Sequence, residues 1–369
     1  MDSASRGLMY QLQDIRTIHL EVTTRCNAHC PMCGRNVCGG RTNPQLPLTE
    51  LSLGDIQTIL PPAIVQQLKR LYMCGNFGDP LMGRDTLAIF EYLRSCNAEI
   101  HLKMFTNGSA RPVDWWTQLA SIVDEVHFGI DGLGDTNAIY RRGTQWEKIM
   151  ANCRTYIEAG GSATWDFIVF RHNEHQIAEA QQLSEKLGFK QFHVKKTARF
   201  FSNSRNQVKN QQAILDGDGR FHGFLQQPKN EKYQNSALKR EQALIERFGS
   251  LNNYMGQCEI RCKVQAEKSL YISAEGLVFP CCWLANQLYV WYSPSGHSQI
   301  EKLVNASKGG RQAVDAKIHE LADILQSDFF QKKLPSAWEV NSSPTDSRRL
   351  RVCAKTCGTE FDPFRHQFE

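Results

Sequence analysis

Long apolar runs are missing from this sequence of 369 residues, and none approaches the roughly 20 residues that span a bilayer. The first ten residues also lack the apolar centre of a secretory signal peptide. The net charge of +5 is mild and well short of what a dedicated nucleic-acid binder usually carries. We therefore expect a cytoplasmic protein with no membrane partner, and the charge alone identifies no other partner.

Cysteine, by contrast, is abundant, with thirteen residues in the chain. In a protein without a secretion signal the thiols stay reduced, and reduced thiols are better suited to binding metals than to forming a disulfide framework. The hydrophobic fraction of 41% can support a proper core, and the length allows one large domain and a smaller one. We therefore expect a globular chain of enzyme size in which some cysteines bind metal.

Strands and helices are predicted to alternate through the first half of the chain. The predicted strands cover residues 18–22, 68–73, 100–105, 125–130, 164–170 and 191–194. The predicted helices between them cover residues 85–95, 113–122, 146–159 and 175–187. This alternation predicts βαβ units, an α/β fold and a parallel sheet, and in barrels of this kind the ligand site lies at the C-terminal ends of the strands.

Three cysteines follow the first predicted strand directly, in a CX3CX2C spacing: Cys26, Cys30 and Cys33. Thiolates are the ligands of iron–sulfur clusters, and a four-iron cluster held by only three of them keeps one iron open for a substrate or cofactor. A structural zinc ion would instead have four closed ligands. A zinc knuckle with His29 as the fourth ligand, or three unrelated thiols, are the alternatives.

The spacing resembles the signature of the radical S-adenosylmethionine (SAM) superfamily, CX3CXΦC, with Met32 at the position Φ that is commonly aromatic. The resemblance implies a partial (β/α)6 TIM-like barrel and a 4Fe–4S cluster on Cys26, Cys30 and Cys33, with SAM as the cofactor. It also implies the chemistry: reductive cleavage of SAM gives a 5′-deoxyadenosyl radical, which abstracts hydrogen from a C–H bond of the substrate.

The loops after the later strands resemble the SAM-binding loops of that family. The Gly75 to Pro80 loop resembles the GGEP motif, whose glycines let the backbone approach the methionine moiety, and Asp79 could receive its ammonium group. Asn107 lies in a Thr-Asn-Gly turn, and Asp131 could accept the ribose hydroxyls. Each loop alone could be a plain turn. The implied SAM contacts are Gly75, Asn76, Gly78, Asp79, Asn107, Asp131, Arg142 for the carboxylate, and Val169, with Ile168, for the adenine.

A second cysteine group lies in the C-terminal part, where residues 270–279 predict a β-hairpin that turns at Gly276. The pattern CX13GX4C from Cys262 to Cys281 resembles the start of SPASM and twitch domains, which hold auxiliary iron–sulfur clusters. The resemblance implies one auxiliary 4Fe–4S cluster on Cys262, Cys281, Cys353 and Cys357. Cys258 or Cys282 could replace one of these ligands, and a four-cysteine zinc site is the alternative.

The resemblance divides the chain into four parts. A lead of residues 1–16, too short for a peptide-recognition domain, precedes the barrel of residues 17–201. A polar connecting segment, 202–257, is expected to cover part of the active-site opening. Residues 258–369 are expected to form a small α+β twitch domain, a β-hairpin plus a helix over residues 318–334.

The substrate is not identified by any residue. We expect a small-molecule or nucleotide-like substrate, an auxiliary cluster that aids oxidation or substrate binding, and an electron donor such as flavodoxin or ferredoxin. Basic residues from Lys195 to Arg199 could hold an anionic group at the barrel mouth. The first alternative is a maturase that crosslinks or epimerises a ribosomally made peptide. The remote alternative is a metal-bound nucleic-acid module that uses residues 195–209, and a nucleic acid as the enzyme's substrate is not excluded.

Overall fold

The computed structural model describes residues 11–202, 207–208, 210–291, 298–339 and 349–364, so most of the predicted lead and part of segment 195–209 lie outside it. The strands are β1 Thr17–Leu20, β2 Arg70–Met73, β3 His101–Thr106, β4 Glu125–Gly129, β5 Ala163–Ile168, β6 Gln191–Lys195, β7 Phe201–Ser202, β8 Gln207–Val208, β9 Gln211–Leu215, β10 Phe221–Gln226, β11 Ser269–Ile272 and β12 Val278–Phe279.

The helices alternate with the strands of the barrel and dominate the C-terminal part. They are α1 Leu53–Ile59, α2 Pro62–Gln67, α3 Thr86–Cys96, α4 Val113–Ala120, α5 Asn137–Tyr140, α6 Trp146–Glu158, α7 Ile177–Leu187, α8 Ser236–Lys239, α9 Glu241–Phe248, α10 Leu251–Gln257, α11 Lys263–Glu267, α12 Cys282–Ala285, α13 Gln299–Asn305, α14 Leu321–Leu325, α15 Leu334–Ser336 and α16 Arg351–Cys357. Within the described residues, no helix has the length and apolarity that crossing a membrane requires.

The main sheet has eight strands in the order β12-β11-β1-β2-β3-β4-β5-β6. Strands β1 to β6 are parallel and follow chain order. This confirms the predicted α/β fold with a partial TIM-like barrel, and all six predicted strands are present within about three residues at each end. The predicted helix 318–334 begins at Leu321 and is interrupted at Gln326 and Ser327, after which a π-helical turn at Phe329–Lys333 leads into α15.

The two faces of the sheet differ in polarity, as strand β3 illustrates. Leu102 and Met104 are fully buried in the core that also contains Phe90 and Leu93 of helix α3. Lys103 and Phe105 alternate with them and lie on the opposite, concave face. The concave face is therefore the inside of the barrel, where polar and aromatic side chains gather.

The C-terminal hairpin belongs to the barrel sheet rather than to a separate sheet. Strand β11 pairs in parallel with β1 from Thr17 opposite Ser269 to Leu20 opposite Ile272, and β12 pairs antiparallel with β11. Strand β1 would otherwise present an open edge of unpaired backbone groups, and the fully buried β11 covers it. The second cysteine group is therefore fixed to the barrel through a continuous sheet.

The connecting segment contains a hairpin, β9 and β10, that the polar composition did not predict beyond a turn near Gly217 and Gly219. Its inner side chains Ile214 and Leu225 are buried in an apolar cluster that includes Cys30. The N–H of Leu215 also donates to the carbonyl of Cys38, at 2.9 Å. The hairpin is therefore packed against the first cysteine loop.

Candidate active site

The first cysteine loop follows β1 at the C-terminal edge of the parallel strands. Burial raises the pKa of Cys30 to about 11; the guanidinium of Arg141 opposes the rise and the neighbouring Cys33 adds to it. Burial also raises the pKa of Cys26, and the nearby Asp79 and Cys30 add to that rise. These two thiols are therefore protonated at neutral pH, and metal binding must displace their protons.

Asn107, at the end of β3, holds this loop in place. Its side-chain Nδ2 donates to the side-chain Oδ1 of Asn27 at 2.9 Å and lies 3.8 Å from the sulfur of Cys26. Asn27 in turn donates to the carbonyl of Ser109 at 2.9 Å. The predicted Thr-Asn-Gly turn is therefore a direct support of the cysteine loop.

Asp79 is buried and joins two strand-end loops. Its Oδ1 accepts from the hydroxyl of Thr106 at 2.7 Å and from the N–H of Leu81 at 3.0 Å. Its Oδ2 accepts from the N–H of Asn107 at 2.8 Å. Burial raises the pKa of Asp79, and these hydrogen bonds oppose the rise. Both oxygens therefore have protein donors, and the contact with the SAM ammonium stays a prediction.

The loop after β2 packs so closely that two of its glycines exclude any side chain. A Cβ on Gly78 would lie 1.8 Å from the carbonyl oxygen of Thr23, and one on Gly75 would lie 2.0 Å from the carbonyl oxygen of Gly78. Between them, the Asn76 side chain donates to the backbone carbonyl of Cys282 at 2.9 Å. The backbone carbonyl oxygen of Asn76 lies 3.8 Å from the sulfur of Cys33. Asn76 therefore links the two cysteine groups.

The structure brings Arg141, the neighbour of Arg142, to the site. The Nε of Arg141 donates to Oδ2 of the fully buried Asp131 at 2.6 Å, and the N–H of Ile168 donates to Oδ1 at 2.6 Å. The carbonyl of Arg142 accepts from the N–H of His29 at 2.8 Å. The ribose contact of Asp131 and the carboxylate contact of Arg142 stay predictions.

The two residues expected near the adenine lie in different places. Val169 is fully buried in the main core, whereas Ile168 packs against the apolar cluster around Cys30. The structure therefore places Ile168 closer to the cysteine loop, and the role of Val169 stays a prediction.

Two residues at the site, Glu21 and Arg199, were not individually predicted from the sequence. Glu21 is almost fully buried and accepts from the N–H groups of Phe77 and Gly78, at 2.7 and 3.0 Å, and from the hydroxyl of Tyr271. An acidic residue within an apolar strand was the available signal. Arg199 is exposed, donates to the hydroxyl of Tyr140 at 2.9 Å and lies near the first cysteine loop.

The four cysteines predicted to bind the auxiliary cluster line one cavity in the C-terminal part. Its other lining residues are almost all apolar: Ile260, Pro280, Trp283, Leu284, Leu334, Trp338, Val352 and Thr356. A hydrogen bond from the thiol of Cys262 lowers the pKa of Cys357, against the effect of burial. Cys262, Cys281, Cys353 and Cys357 therefore line one cavity, and their binding of a cluster stays a prediction.

The two alternative ligands do not line this cavity. Cys258 is buried beside Arg349, with its sulfur 3.8 Å from the carbonyl oxygen of Ala354. Burial raises the pKa of Cys282, and the nearby Cys281, Cys74 and Glu21 add to the rise. The backbone carbonyl of Cys282 accepts from the side chain of Asn76.

The sulfurs of neither cysteine group lie close enough together for three of them to share one ion. Across the part of the chain that the structure describes, His127, Asp166 and His193 are the one group with three ligand atoms all within 4.8 Å of one another. Thiolates on one tetrahedral zinc ion lie only about 3.8 Å apart, given Zn–S bonds of about 2.3 Å. At least one pair of sulfurs in each set of three cysteines is therefore farther apart than one zinc ion allows, whereas each thiolate of a cubane binds a different iron.

Residues 20–183 match the family model of the Radical SAM superfamily. The match covers the cysteine loop, the last residue of β1 and four of the six parallel barrel strands, β2 to β5. The chain therefore contains a radical SAM domain, and the cofactors of such a domain are a 4Fe–4S cluster and SAM.

Solved structures with a similar fold cover almost the whole chain. SuiB of Streptococcus suis bound to S-adenosylmethionine has 13% sequence identity and a TM-score of 0.56, over 94% of this chain and 76% of SuiB. SuiB bound to the precursor peptide SuiA has 12% sequence identity and a TM-score of 0.55, over 95% of this chain and 75% of SuiB. Histidine-tagged anSMEcpe with bound AdoMet has 12% sequence identity and a TM-score of 0.51, over 92% of this chain and 85% of anSMEcpe. At these identities the likeness shows a shared fold.

Proposed function

We propose that this chain is a radical SAM enzyme that binds its 4Fe–4S cluster through Cys26, Cys30 and Cys33. Reductive cleavage of SAM there supplies a 5′-deoxyadenosyl radical that abstracts hydrogen from a substrate C–H bond. The observation that carries the proposal is the three-cysteine loop at the C-terminal edge of the sheet, tied by Asn107 and Asn76 to the next two strand ends. A cluster held there leaves one iron for SAM.

The residues around the loop have separate tasks in this proposal. Asp79 and Asn107 hold the strand-end loops in fixed positions, so that SAM meets a preorganised site. Asp131 orients Arg141 through a short ion pair. Arg199, exposed beside the cysteine loop, supplies a positive charge for the carboxylate of SAM or for an anionic substrate. The hairpin β9–β10 shields the loop from bulk water.

The second cysteine group is proposed to hold an auxiliary 4Fe–4S cluster through Cys262, Cys281, Cys353 and Cys357. Its cavity is apolar, which suits a group that exchanges electrons without binding a polar ligand. A cluster there would supply an electron acceptor for the substrate radical, and the product would then be oxidised. The substrate is then a small polar or nucleotide-like molecule held inside the barrel.

A peptide substrate is the second candidate. It is supported by the fold shared with SuiB, which has been solved bound to the precursor peptide SuiA. Both candidates share the SAM chemistry and the auxiliary cluster, so they differ in the molecule that enters the barrel.

The test is iron and sulfide analysis with electron paramagnetic resonance on anaerobically reconstituted protein. The wild type is compared with a variant in which Cys26, Cys30 and Cys33 are all alanine. We expect about eight irons in the wild type and about four in the variant, with a SAM-dependent spectral change in the wild type alone. Zinc with little iron, and no response to SAM, would contradict the proposal and favour the nucleic-acid module.

A further inference from the structure

One layer of rings lines the inside of the barrel. Tyr271, His19, Tyr72, Phe105 and His127 stack or meet edge to face from strand to strand, with ring centroids 4.4 to 6.1 Å apart. His193 on β6 continues the row, 6.0 Å from the ring of His127. On β4 and β6 the row ends in two histidines, and Asp166 of β5 lies between their imidazoles.

We infer that His127, Asp166 and His193 form a binding site for one divalent transition-metal ion inside the barrel. Nδ1 of His127 lies 3.2 Å from Oδ2 of Asp166, and Nδ1 of His193 lies 3.1 Å from Oδ1. Two ligand atoms on one ion, each about 2.1 Å from it, lie roughly 3.0 to 3.4 Å apart. Each imidazole therefore already lies at that separation from a carboxylate oxygen, and one ligand atom from each of the three side chains lies within 4.8 Å of the other two.

Glu125 supplies the outer support that a metal-binding histidine usually has. Its Oε1 lies 2.9 Å from Nε2 of His127, at hydrogen-bonding distance but not at a hydrogen-bonding angle. Glu125 is itself held by the hydroxyl of Thr164, at 3.0 Å, and by the ammonium of Lys103. An ion on Nδ1 would fix the His127 ring and favour a proton on Nε2, directed toward Glu125.

Lys195 limits where the ion can lie. Its ammonium is 2.6 Å from Oδ2 of Asp166, so the ion is expected at Oδ1, beside His193. The ammonium groups of Lys195 and Lys103 repel a cation, and the carboxylates of Asp166 and Glu125 offset that repulsion. Without an ion, the same residues would form a hydrogen-bond network centred on Asp166, and the experiment separates these two states.

The ligand set also indicates the class of ion and its use. Two imidazoles and one carboxylate favour Zn²⁺, Fe²⁺ or Co²⁺ over Mg²⁺ and Ca²⁺. Three protein ligands leave coordination positions for another molecule. An ion here would bind oxygen or nitrogen atoms of a substrate inside the barrel. The site contains no cysteine, so its metal binding does not depend on the proposed radical chemistry.

The probe is Zn²⁺ added to fully reconstituted protein, followed by desalting and metal analysis of wild type, His193→Asn and the control His101→Asn. His101 lies on β3, is about half exposed and is outside the group. We expect about one zinc per chain in wild type and control, and at least a tenfold weaker affinity in His193→Asn, with iron and sulfide unchanged. Glu125→Gln is expected to weaken zinc binding roughly 10- to 100-fold.

X-ray absorption at the zinc edge then identifies the ligands. A nitrogen and oxygen shell at about 2.0 to 2.2 Å supports the site, whereas sulfur at about 2.3 Å would assign the zinc to cysteines and overturn it. Equal zinc retention in wild type and His193→Asn would also overturn the proposed site. If the wild type retained no zinc, the three side chains would form a hydrogen-bond network and not a metal site. Iron content and SAM cleavage of the same samples report separately on the proposed function.

Discussion

The two cysteine groups differ in their surroundings more than in their chemistry. The first group packs against an apolar cluster and also meets polar side chains from successive strand ends, with the exposed Arg199 beside it. The second group lines a cavity closed by Trp283, Trp338 and aliphatic side chains. A cluster that binds a charged cofactor needs polar, accessible neighbours, whereas one that only exchanges electrons is better enclosed. The neighbours of the thiolates therefore separate the two roles.

Removing one thiol of the open group should have the largest effect. We expect Cys30→Ala to abolish SAM cleavage and to lower the iron content from about eight to about four per chain. Cleavage is measured as 5′-deoxyadenosine formed under a chemical reductant. The matched control is Cys153→Ala, a buried cysteine in the main core, which should keep both the iron and the activity.

Removing the enclosed group should separate SAM cleavage from net turnover. The double variant Cys353→Ala with Cys357→Ala should keep SAM cleavage within a few-fold of wild type and lose about four irons. Product formation from the substrate, once that substrate is known, should fall below detection. Unimpaired product formation would contradict an electron-accepting role, and loss of SAM cleavage would mean that the two groups are not independent.

The link between the two groups depends on the tight loop after β2. A Cβ at Gly78 would overlap the backbone carbonyl of Thr23, so Gly78→Ala should lower the free energy of unfolding by about 3 kcal/mol. Gly217 has no heavy atom within 4 Å of a built Cβ, so Gly217→Ala is the control and should change it by less than about 0.5 kcal/mol. Denaturant midpoints measured anaerobically decide the comparison, and equal midpoints would show that the loop can move.

The sequence predicted the cysteine groups better than the contacts around them. Regular alternation and cysteine spacing are local signals, so the six parallel strands and the two groups of cysteines could be predicted before the structure. The pairing of β11 with β1 could not be predicted, because the apolar sequence of a strand does not specify which sheet edge it joins. Arg141 could not be separated from Arg142, since helix α5 ends there and only the fold decides which side chain meets Asp131.

His19 on β1, the strand that joins the barrel to the second group, gives the smallest expected effect. Burial lowers its pKa to about 4, while its ordinary value is 6.5. Between these values the unfolded chain binds the extra proton and the folded chain does not, so stability is complete above pH 6.5 and falls as the pH falls toward 4. From about pH 7.5 to about pH 5 the loss from this group should be about 2 kcal/mol.

His19→Gln should remove that part of the pH dependence, because glutamine can still donate to the carbonyl of Cys74 but does not titrate. The exposed His222 provides the control, and His222→Gln should leave the slope unchanged. The measurement is the denaturant midpoint at several pH values from about 7.5 to about 5, with iron content checked at each pH so that cluster loss is not mistaken for unfolding. An unchanged slope in His19→Gln would show that β1 opens to solvent, and the two cysteine groups would then be less rigidly joined than the continuous sheet implies.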